Sequence, residues 1–115
     1  MLFKLIMVFV DEDKVEDVMD ASRNAGATGA TIISKARGQG LEKVVGILGF
    51  EILSPRAVVL ILAEARRAER ILEAVTEAGN LDESLGTGIA IQLDVDKALG
   101  LSEHVKELEK KKPFV

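Results

Sequence analysis

The chain opens on an apolar run, Leu2–Val10, in which Phe3, Leu5, Met7 and Phe9 alternate with Ile6, Val8 and Val10. Such a run predicts a strand, and Asp11, Glu12 and Asp13 close it with residues that suit a turn and a helix N-terminus. Val15, Val18, Met19 and Ala25 then fall on one helical face, and Gly26 supplies the residue that commonly ends a helix in the left-handed conformation. Thr28–Lys35 reads as a second strand and Arg56–Ala63 as a third, with Pro55 at its entry turn. Ala68, Ile71, Leu72, Val75 and Ala78 make the stripe of a second helix ended by Gly79, and Gly88–Asp94 is a last strand. Asp96–Leu99 and Glu103–Lys111 suit a short helical turn and a polar tail, residues 102–115.

The predicted order is β-α-β-β-α-β, the split βαβ or ferredoxin-like arrangement of the α+β class, with two helices on one face of an antiparallel sheet. All of residues 1–115 are expected to form one domain, since this length sits near the commonest domain size. The fold names no function. Two features go beyond it. The first is that both faces of the predicted sheet are apolar: in the third strand Val59 and Ile61 alternate with Val58, Leu60 and Leu62. A face left bare by the helices needs a second cover, and another copy of the chain is the expected one. The other candidate is the tail, through Leu101, Val105 and Leu108, although its stripe is narrow beside a whole sheet.

The second feature is the stretch Ala36–Ser54, which lacks periodicity and exceeds the roughly 12–15 residues of ordinary connections. It reads either as a functional loop or as an excursion that packs through Val44, Val45, Ile47, Leu48 and Phe50. At its start, Gly38 and Gly40 flank Gln39, so backbone N–H groups can turn toward an anion whose charge Lys35 and Arg37 would complement. Gly86-Thr87-Gly88 precedes the last strand and reads as a close approach to a ligand or as a plain turn.

Composition narrows the chemistry. A net charge of −4 and the absence of Trp and Tyr argue against nucleic acid, which needs clustered cations and stacking rings. With no Cys there is no disulfide framework or thiol nucleophile, and a cytoplasmic location is the expectation. The apolar runs are too short to insert in a membrane. His104, in the polar tail, has no Ser, Cys or Asp constellation around it, so no enzyme activity is expected.

Asn24–Thr31, Asn-Ala-Gly-Ala-Thr-Gly-Ala-Thr, resembles the approach to the second strand of PII nitrogen-regulatory proteins. Gly86-Thr87-Gly88 followed by Ile89–Val95 resembles their Gly-x-Gly loop and last strand, so the likeness spans about residues 3–101. It implies a homotrimeric signalling protein holding an adenine nucleotide between subunits, with a long loop that docks on a regulated transporter or metabolic enzyme. Thr31 would sit at the adenine, backbone near Leu62 would read the base's edge, and Gly86, Thr87 and Gly88 would line the phosphates. Gln39, or Gly40 in the other register, would stand for the family's loop glutamine.

The chain departs from the family where Ile89 replaces the lysine after Gly-x-Gly and where Gly100 and Ser102 stand near the two arginines. Lost charge-assisted contacts of that kind typically forfeit about 1.5–3 kcal/mol each, unless Lys35, Arg37, Lys43 or Lys97 substitutes. ATP, ADP, AMP and cyclic di-AMP are therefore all effectors to test. Without Tyr, uridylylation of a loop tyrosine is excluded. The alternatives are a trimeric divalent-cation-binding protein of the copper-tolerance type, disfavoured by the missing Cys, and an acyl-phosphate hydrolase, for which Arg23-Asn24 lies at a helix end.

Overall fold

The computed structural model describes residues 2–36, 56–81 and 88–100. In chain order they form β1 (Phe3–Asp11), a 3-10 turn (Glu12–Lys14), α1 (Val15–Asn24), β2 (Thr31–Ala36), β3 (Arg56–Glu64), α2 (Ala65–Ala78) and β4 (Gly88–Asp94). The strands make one sheet in the order β2-β3-β1-β4, and every neighbouring pair is antiparallel. This is the ferredoxin-like α+β architecture that the periodicity predicts. Each helix connects two parallel strands that have a third strand between them, so the two halves interlock and β1 and β3 become the centre.

The core forms where alternation brings one side of the sheet against the helices. Ile6, Val8 and Val10 of β1 and Ala57, Val59, Ile61 and Ala63 of β3 join Val15 and Val18 of α1 and Ala68, Ile71 and Val75 of α2 in a single buried cluster. Ser22 is the polar member of the buried side of α1, and it donates to the Met19 carbonyl at 2.8 Å, which satisfies its hydroxyl without leaving the helix.

Both helices end alike. After α1, Gly26 takes φ +112° and Ala27 N–H donates to Ser22 O at 2.9 Å; after α2, Asn80 takes φ +54° and Leu81 N–H donates to Thr76 O at 3.0 Å. These are Schellman closures, which need one residue in the left-handed region. Sequence reading gives that role to Gly26 and ends the second helix at Gly79, and α2 does end there, with Gly79 at helical φ −83° and the left-handed position falling on Asn80. Asn is among the few other residues that take this conformation at low cost.

Three expectations change. The second strand starts at Thr31 rather than Thr28, because 28–30 run outside the sheet as a separate segment. Asp11 makes no side-chain cap, and its carboxylate lies instead 3.4 Å from Arg56 Nε, the residue opposite it in the sheet. Phe3 shares strand parity with the bare face yet is 8% exposed, as its partner Glu64 is at 4%, so the bare face stops at Leu5 and Leu62. The loop expectation beyond Ala36, and the tail at 102–115, lie outside the described residues.

Candidate functional site

Strand register decides what shares the side of the sheet away from the helices. Leu5 lies opposite Leu62 and Leu93, Met7 opposite Leu60 and Ile91, and Phe9 opposite Val58 and Ile89. On the other edge Thr31 faces Leu60 and Ile33 faces Val58. Directly opposed residues point the same way, so this is one continuous apolar surface across four strands. Ile89 is 60% exposed and Ile33 49%, and no described element covers them.

At the β2 edge this surface turns into a groove. Its floor is Leu5, Leu60 and Leu62, and its wall is the segment Thr28, Gly29, Ala30 and Thr31 that joins α1 to β2. The volume is about 430 Å3, within the range of small-molecule sites, which are typically apolar with a few polar groups. Here the side-chain polar groups are the hydroxyls of Thr28 and Thr31, beside β2, an edge strand among the described residues. An added Cβ at Gly29 would meet nothing within 4 Å, so the wall is open at that point. A second hollow of about 550 Å3, lined by Leu72, Glu73, Thr76, Glu77, Asn80 and Leu81, lies on α2 and contains none of the candidate site residues.

Two of the sequence-predicted residues, Thr31 and Leu62, thus meet in one groove. They are far apart in sequence and are joined by the β2–β3 pairing. Lys35 lies further along β2. Gly88 opens β4, the opposite edge strand, so β3 and β1 stand between it and Thr31 within one chain. Its glycine has a reason in the fold. At φ +133° an added Cβ would lie 2.2 Å from the Phe9 carbonyl oxygen and 2.9 Å from Leu81, so only glycine fits. Arg37, Gly38, Gln39, Gly40, Gly86 and Thr87 lie outside the described residues. Leu5, Thr28, Gly29, Ala30 and Leu60 complete the groove without having been singled out as site residues. For Leu5 and Leu60 the signal was strand parity with Leu62, and Thr28, Gly29 and Ala30 lie in the Asn24–Thr31 stretch that carries the resemblance.

Charged pairs stand at the ends of the strands, outside the groove lining. Lys4 Nζ donates to Asp94 Oδ1 across the β1–β4 pair, and this hydrogen bond, with the lysine's charge, holds the Asp94 carboxyl below its ordinary pKa. At the end of β3, Glu64 is buried and pairs with Arg66 and with Arg67, whose Nε lies 3.3 Å from Glu64 Oε2. Among the described residues no three His, Cys, Asp or Glu side chains come together as a metal-holding group, and no helix is long and apolar enough to cross a membrane.

The family model of nitrogen regulatory protein P-II matches residues 3–103 of the chain. No curated protein matches it.

Proposed function

The chain belongs to the nitrogen regulatory protein P-II family, and from that premise we propose that it is a signalling protein that acts by binding rather than catalysis. It takes an adenine nucleotide into clefts between the subunits of a homotrimer and regulates a transporter or metabolic enzyme through residues 36–54, in the cytoplasm. The observation that carries this reading is the groove in which Thr31 and Leu62 meet, at the margin of an apolar sheet face that nothing described covers.

The two edge strands support the inter-subunit form of the site. Thr31 and Gly88 sit on opposite edges, so one chain presents the base-binding groove at one edge and the glycine approach at the other. A second copy whose β4 edge approaches β2 would complete the cleft, and packing of the apolar faces would supply the driving force. The described lining of the groove is uncharged, which suits a ring held by apolar contact and hydroxyl hydrogen bonds more than it suits a polyphosphate.

Calorimetric titration with ATP, ADP, AMP and cyclic di-AMP tests the reading. Saturable heat is expected with at least one of them. It should weaken in Gly29→Leu, which adds bulk to a lining residue whose Cβ position is open, with the fold checked by circular dichroism. Absence of heat with all four removes the nucleotide from the proposal.

A further inference from the structure

Glu64 occupies the N-cap position of α2, yet its carboxylate makes no cap hydrogen bond. The first helical N–H, that of Ala65, is satisfied elsewhere, by the Leu2 carbonyl at 2.9 Å. Glu64 is turned instead to the arginines that follow it. Its Oε2 lies 3.3 Å from Arg67 Nε, and both side chains are almost wholly buried, at 2% and 6% exposed. Burying two charges costs more than a surface pair returns, so their arrangement calls for a reason beyond stability.

The other end of the guanidinium supplies one. Arg67 Nη1 donates to the Gly26 carbonyl at 3.3 Å, across the sequence from α2 to the turn that closes α1. Gly26 is two residues before Thr28, where the wall of the groove begins, and Glu64 is two residues after Leu62, where its floor ends. One planar side chain therefore spans from the end of the floor to the start of the wall. Its fork has fixed geometry, which a lysine with a single nitrogen cannot reproduce at both ends.

We propose that the buried Glu64–Arg67 pair is a positioning clamp that sets the Thr28–Thr31 wall against the β3 floor and so fixes the width of the groove. As a claim about ligand binding it rests on the groove being the nucleotide site; as a claim about the wall it stands on the geometry alone. The two are separated by two measurements on the full chain.

The informative variant is the double replacement Glu64→Met with Arg67→Met, which removes both charges together and leaves no unpaired ion in the interior. Amide hydrogen exchange followed by NMR should rise about tenfold or more over residues 27–31, while Ile71–Val75 in α2 keep their protection. ATP affinity should fall about tenfold, the loss expected when one charge-assisted hydrogen bond no longer holds a wall in place. A folded double variant with unchanged exchange over 27–31 overturns the clamp. If the double variant does not fold, Arg67→Lys answers the same question, since it should loosen 27–31 while keeping one of the two contacts; unchanged exchange there also overturns the clamp. If the wild-type chain takes up no ATP, the affinity is read with whichever of ADP, AMP and cyclic di-AMP it binds; if it binds none of the four the nucleotide reading falls, and the exchange data still decide the clamp.

Discussion

On the helix side of the sheet Ile6, Val8, Val59 and Ile61 are wholly buried, whereas on the other side Ile91 is 38% exposed, Leu93 41% and Ile89 60%. The residue types are the same, and even within the two central strands Leu5, Met7, Val58 and Leu60 of the other side are only half-buried. What differs is the cover, because two helices each contribute one apolar stripe and both stripes are spent on one side. Apolar alternation on one face therefore specifies how the sheet is built, and a second, matching set of apolar positions calls for a cover of another kind. The first set is satisfied by the two helices; the second is left uncovered by the described elements.

The difference between the faces can be broken most completely at Met7, which lies between Leu60 and Ile91 at the centre of the bare face. Met7→Asp places a charge where apolar faces would meet, and the protein should sediment as a folded monomer with helix content retained. Oligomers that persist unchanged in this variant would move the contact elsewhere. On the covered face the effect should fall on folding. Ile61→Ala leaves a cavity in the core and should lower unfolding stability by about 2–5 kcal/mol in urea titrations of the monomeric Met7→Asp background. A loss well below that range would show that the core relaxes around the missing atoms.

The smallest effect belongs to the rim. Asp94 is fully solvent-facing, and its carboxyl is held below the ordinary value of 3.8 by the Lys4 hydrogen bond and charge. A depressed carboxylate contributes stability that is present above the unfolded-state pKa and lost as pH falls through the folded one. Asp94→Asn should therefore match the wild type in acid and fall only marginally below it near neutrality, by an amount that added salt erases. Thermal melts at several pH values in low and high salt check this, and a gap that widened in acid would reverse the assigned sign.

Much of the architecture was legible because it is written in local periods. The alternation of Phe3–Val10 and of Arg56–Ala63, and the stripes of Val15, Val18 and Ile71, Val75, place the strands and helices close to where they stand. The errors arise where a long-range partner competes with a local habit. Asp11 looks like a cap and pairs with Arg56 across the sheet. Nothing in the neighbouring sequence announces that choice, because the partner is supplied by strand register. At the site, Thr31 and Leu62 were legible through resemblance, while the groove they share depends on β2 pairing with β3, which alternation alone does not determine.

Gly88 carries a lesson for how such sequences are compared with one another. The Phe9 carbonyl stands where its side chain would be, so backbone packing alone enforces glycine at this position, with or without a ligand nearby. A descendant that lost its effector altogether would still keep this glycine. Its presence in a newly read genome thus attests to an intact β1–β4 seam and by itself says nothing about a ligand.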